Sequence, residues 1–242
     1  MSDTRYYSDQ EAKDANENLS RATEALKAKR FDDAERILLA IVANTPGDYR
    51  YQYDSEKGEL CIKFWDQVEF IHYVTRLQKQ GKADRSIIWQ GNAYGKAHYY
   101  LGFVYVKQGK PNDALPHLMA GLALEPDKPL LRLEYAKALG MSGDRIGALR
   151  EIEKVVAQGD EIVPNSQALA LRSKGFQLVE LARLDDAEVV FRESLKIDPG
   201  NPIAQDELKY IRHLRGGGEL YGTRSSGDRV ESAKPWWQFW RG

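Results

Sequence analysis

The chain has 242 residues, 42% hydrophobic and 29% charged, enough to bury the core of one or two domains. Its 35 Lys and Arg against 36 Asp and Glu leave a formal charge of −1, so no basic field exists to attract nucleic acid. Cys61 is the single cysteine, which excludes intramolecular disulfides and thiolate-rich metal sites and fits a reducing compartment.

In chain order, residues 1–14 read as a polar N-terminal extension. MSDTRYYSDQEAKDAN lacks the apolar core of a signal peptide, and no apolar run approaches membrane-spanning length. A soluble, cytoplasmic protein is expected. Over 15–48, Ala22, Ala25, Ala34, Leu38, Ile41 and Pro46 read as two short helices ended by a proline. Residues 49–94 break that pattern. Tyr49, Tyr51 and Tyr53 alternate, as do Leu60, Ile62 and Phe64 beyond the turn SEKG, which predicts a β-hairpin. Asp66 and Glu69 then predict a capped helix start, with Val68, Ile71, Val74 and Leu77 as its apolar face. Ile87, Ile88 and Trp89 are expected to be buried at the junction that follows.

From residue 95 the helical pattern returns at a period of about 34 residues. Leu101-Gly102, Tyr105, Gly109, Ala114, Leu118, Gly121 and Pro126 fill the first of these units. Tyr135-Ala136, Leu139, Gly143, Ala148, Ile152 and Val155 hold the same slots in the next, and Gly175, Leu178, Ala187, Phe191, Ser194 and Pro199 in the last. The units fall at 15–48, 95–128, 129–162 and 168–201, with 163–167 lengthening one junction. NPIAQDELKYIRHLR then reads as an amphipathic capping helix, Ile203, Leu208, Ile211 and Leu214 facing inward.

These residues resemble the tetratricopeptide repeat, a helix-turn-helix unit with small residues where its helices touch. The resemblance implies an all-α solenoid of about four repeats plus a capping helix over 15–214, carrying a small hairpin and helix insertion at 49–94. It also implies a concave groove lined by fixed slots of each first helix. Carried onto this sequence, those slots give Lys96, Tyr99, Phe103, Val106 and Lys107 in one repeat. The next gives Leu133 and Lys137, beside Leu130 and Met141, and the last gives Arg172 and Phe176, beside Leu169, Val179 and Glu180. Family members that clamp a chaperone's C-terminal carboxylate place Lys and Asn at the fifth and ninth slots of the first repeat. Leu19 and Thr23 stand there, or Tyr99 and Phe103 if the next repeat is counted first, which argues against such a ligand. An amphipathic helix or an aromatic-bearing peptide of a partner protein fits this apolar, lysine-dotted groove. The insertion, or the chain's own tail, can fill it instead.

No catalytic constellation is found. The four histidines, His72, His98, His117 and His213, form no metal-binding pattern, no phosphate loop has its strand–helix context, and no cofactor is implied. Asp32-Asp33 and Asp185-Asp186 precede second helices, where acids complement the helix dipole. Cys61, inside the expected strand, reads as a small buried hydrophobe. The expectation is therefore a non-enzymatic scaffold or adaptor for protein–protein interaction, with self-association left open.

Residues 215–242 read as a flexible tail, rich in Gly, Ser and charge, that ends in KPWWQFWRG. As a helix, this ending would gather Trp236, Trp237, Phe239 and Trp240 on an arc of about 160°. Three uses compete: a hot-spot motif for another protein, docking on this chain's or a second copy's groove, and weak contact with a membrane surface beside Lys234 and Arg241. The last gives the alternative reading, a peripheral membrane adaptor at the inner face of a membrane.

Overall fold

The structure is a computed structural model, and it describes residues 9–218. The aromatic ending Trp236, Trp237, Phe239 and Trp240, and with it the weak membrane contact, lies outside the described residues. Ten α-helices are described. The first pair is α1 (Asp9–Lys27) and α2 (Phe31–Ala43). After the insertion come α4 (Tyr94–Lys107) with α5 (Pro111–Leu124), and α6 (Pro129–Met141) with α7 (Arg145–Val156). A 3-10 turn (Gly159–Glu161) leads to α8 (Pro164–Glu180), α9 (Leu184–Ile197) and the capping helix α10 (Pro202–Arg215).

α1 starts at Asp9, inside the stretch expected to be an extension. α8 likewise starts at Pro164, so the lengthened junction becomes an extra turn whose first residue needs no N–H partner.

The repeat slots explain the packing. An added Cβ on Gly102 would stand 2.4 Å from Leu118, and one on Gly175 2.6 Å from Phe191, so these glycines let first and second helices close on each other. The tight turns between them need a left-handed residue. Gly109 (φ +74) and Gly143 (φ +102) supply it in the middle units, while Lys29 (φ 58) and Ala182 (φ 57) take the same conformation without being glycine. Ala22, Ala34, Leu38, Leu101, Ala114 and Leu118 share one core cluster, and Phe176, Leu178, Phe191 and Ile211 share another under the capping helix. The paired acids sit in the first turns of α2 and α9, where Asp33 pairs with Arg30 and Asp186 with Arg183.

The insertion forms the expected antiparallel hairpin, β1 (Gln52–Asp54) against β2 (Leu60–Ile62), and then α3 (Gln67–Lys79). A third strand, β3 (Ile87–Trp89), adds parallel to β2, giving sheet order β1-β2-β3. This corrects the expected junction: Ile87 and Ile88 are half-buried, and Trp89 is 42% exposed, its ring stacked 5.7 Å from Phe70. The face of α3 is corrected too. Phe70 and Tyr73 pack at 5.3 Å on the buried Phe64, while of the expected face Val68 (63%) and Ile71 (52%) are exposed and Val74 and Leu77 half-buried.

Candidate functional site

The insertion leaves the stack from the end of α2 and folds back onto the start of α4 and the turn between α5 and α6. Strand alternation decides how. Leu60, Ile62 and Phe64 cluster with Phe70 and Tyr73, so Cys61, Lys63 and Trp65 belong to the opposite face, toward the stack. Glu125, at the C-cap of α5, receives that face. Its carboxylate has no exposure and accepts from the Tyr49 hydroxyl (2.6 Å), the Trp65 indole N–H (2.8 Å) and the Asn92 amide (2.8 Å). Space for it comes from Gly95: a Cβ there would stand 2.1 Å from Glu125 Oε1.

Burial pushes the Glu125 carboxyl above the usual carboxylate range, opposed by the Tyr49 hydrogen bond, Lys128 and the bonds from Trp65 and Asn92. Beside it, the buried Lys128 ammonium lies 5.1 Å from the Tyr51 ring centroid and 5.9 Å from those of Phe64 and Trp65, and pairs with Glu69 at 2.5 Å. Glu69 also accepts from the Trp65 amide at 2.6 Å, while Asp66 caps α3 by accepting from the Glu69 amide at 2.8 Å. Burial lowers the Lys63 and Lys96 ammonium groups, partly offset by Glu125 and Asp66 respectively. The middle of α3 reaches the 3-10 turn, where His72 Nε2 meets the Asp160 carbonyl at 2.9 Å.

Lys96 donates to the Trp65 carbonyl, and the Tyr99 ring lies 5.3 Å from Trp65, so the structure brings these two expected groove residues together beneath the insertion. Phe103 and Lys107 follow one and two turns further along α4, both half-buried, with the Lys107 ammonium 5.2 Å from the Phe103 centroid. Val106 and Leu133 lie in two different core clusters. Lys137 is buried with Glu134, 3.3 Å away, inside α6. Arg172 pairs with Asp198 at 3.2 Å, and Phe176 is buried edge-on to Phe191 at 5.4 Å.

Glu125, Asn92 and Lys128 were not among the residues singled out from sequence, and Tyr49 was read there only as part of a strand. One signal for Glu125 was available: an acid at the negative end of a helix is locally unfavourable and implies donors from elsewhere. Cys61 is buried as expected. Among the described residues no His, Cys, Asp and Glu group is arranged to hold a metal ion, and no helix is long and apolar enough to cross a membrane.

No family model and no curated protein matches this chain. Solved structures do. PilF of Pseudomonas aeruginosa is similar at 12% identity and TM-score 0.58, over 85% of this chain and 71% of that one. A MamA RS-1 ArsTM double mutant is similar at 14% and 0.54, over 84% of each chain. A tetratricopeptide repeat protein of Parabacteroides merdae is similar at 16% and 0.54, over 84% of this chain and 61% of that one. The helix pairs, their turns and these likenesses define an α-helical solenoid. Its type is the tetratricopeptide-repeat solenoid, with a three-stranded insertion on its first-helix side.

Proposed function

We propose that this chain is a non-enzymatic adaptor that binds a peptide or amphipathic helix of a partner protein along the concave face of its first helices. One observation carries the reading: the chain already holds an aromatic-bearing segment of its own on that face. Trp65 lies against Tyr99, its carbonyl takes Lys96 and its indole is held by Glu125. A surface that fixes an aromatic residue by ring contact and backbone hydrogen bonds has the chemistry of peptide recognition. The insertion uses the N-terminal ends of the first helices, which leaves Phe103, Lys107 and Met141, near their C-terminal ends, as the residues proposed to meet the partner.

The test is affinity capture with full-length protein. A partner should be lost on combining Phe103→Glu with Lys107→Glu, and kept when the exposed Val68 and Ile71 of α3 are changed to Ser. A partner indifferent to the α4 changes contradicts the groove reading.

A further inference from the structure

The helices alternate in direction, so α4, α6, α8 and α10 run the same way, as successive first helices of the stack. Two edges of the concave face follow. The insertion leaves α2 at the edge where first helices begin, and its contacts with Lys96, Tyr99, Glu125 and Lys128 stay near that edge. The chain leaves α10 at the opposite edge, where first helices end with Lys107, Met141 and Glu180. Leu214, in the last turn of α10, packs on the cluster that contains Phe176 and Val179 of α8. Arg215, at the end of α10, pairs with Asp185 and Glu188 near the start of α9, so the described chain ends at the edge of the stack where first helices end.

Phe-Trp occurs twice in the chain, as Phe64-Trp65 in the insertion and as Phe239-Trp240 near the end. In the first pair Trp65 is seated on the groove beside Tyr99, while Phe64 lies in the insertion's own core. We propose that the second is seated there too: the segment Lys234–Arg241 docks in cis on the C-terminal half of the concave face, its rings against Phe103, Lys107 and Met141. The inference rests on the reading of that face as a peptide-binding surface, and names its resident ligand.

The reach suffices. Residues 219–235 have the composition of a flexible linker, which would give a root-mean-square span of about 20–25 Å. From α10 to α4 is three helix spacings, about 24–30 Å, well inside the roughly 55 Å that 17 extended residues can span. The chemistry suits indole rings as well. The Lys107 ammonium already lies over the Phe103 ring, and a tryptophan face is the best partner for such a cation. Met141, at the end of α6, brings a thioether suited to aromatic contact. Docking in cis means an effective concentration in the millimolar range, so a segment that binds weakly as a free peptide still occupies the groove most of the time.

The probe is a fluorescein-labelled peptide KPWWQFWRG, titrated by anisotropy into two full-length proteins: the natural chain, and a variant with Trp236, Trp237 and Trp240 changed to Ala. Removing the cis competitor should tighten peptide binding about tenfold. Adding Phe103→Glu to the variant should abolish the gain. Equal binding by both proteins, or binding by neither, overturns the proposal, while the partner capture described above would still stand or fall separately. So would photo-crosslinks from p-benzoylphenylalanine at Phe239 that join isotopically distinct chains, since these place the tail on a second copy. Flotation with phosphatidylserine–phosphatidylcholine vesicles that the alanine variant loses would place it on lipid, and also overturns the proposal.

Discussion

Glu125 and Gly95 form a matched pair, because the carboxylate occupies the volume that any side chain at residue 95 would need. Gly95→Ala is therefore expected to cost about 1–3 kcal/mol of overpacking. In a Glu125→Ala background its obstacle is gone, and urea denaturation should show most of that cost removed. Additive effects of the two substitutions would contradict the contact. The left-handed turn residues give a second expectation. Ala182 holds φ 57 at a turn where the preceding units use Gly109 and Gly143. Ala182→Gly should raise stability by about 0.5–1 kcal/mol, since relief of left-handed strain exceeds the entropy that glycine adds to the unfolded chain. A lower thermal midpoint would count against it.

At the scale of elements, α10 is a cap whose amphipathic pattern leaves one acid in a costly place. Burial pushes the Glu207 carboxyl up to about 7, with Asp206 and Glu180 adding to the effect. Asp206 is itself paired with Lys209, and Glu180 with Arg145. A raised folded value means the folded chain holds the proton more tightly, so stability is greatest below the unfolded value near 4.5 and falls as pH rises through about 7. Glu207→Gln should thus raise the thermal midpoint at pH 8 and leave it unchanged at pH 4. An unchanged midpoint at both would remove Glu207 from the account.

Legibility at this scale followed locality. The helix pairs, the hairpin and the Asp66 cap are written in short-range spacing, and all are found. α3 was misread because its sequence carries two apolar stripes at helical spacing: Val68 and Ile71 on one, Phe70 and Tyr73 on the other. Which stripe turns inward is settled by Phe64, a residue outside the helix. The parallel pairing of β3 with β2 is likewise a long-range event without a local signature. Of the groove residues, Lys96 and Tyr99 come together beneath the insertion, whereas the Glu125 anchor depends on donors up to 76 positions away.

For the whole molecule, the insertion is fastened to the helical stack through Glu125, and the proposed groove is the part of the first-helix face beyond it. The lone cysteine reports on this directly. Cys61 is 3% exposed, on the side of β2 that alternation turns toward the stack, and no other thiol competes for label. The deciding measurement is the rate of maleimide labelling of Cys61 in the native full-length chain and in Glu125→Ala, alongside far-UV circular dichroism. Loss of the carboxylate leaves three donors without their acceptor, a local cost of about 3 kcal/mol, so labelling should quicken by about a hundredfold with helicity kept. Native Cys61 reacting as fast as in the denatured chain, or a rate indifferent to Glu125→Ala, would contradict the docked insertion.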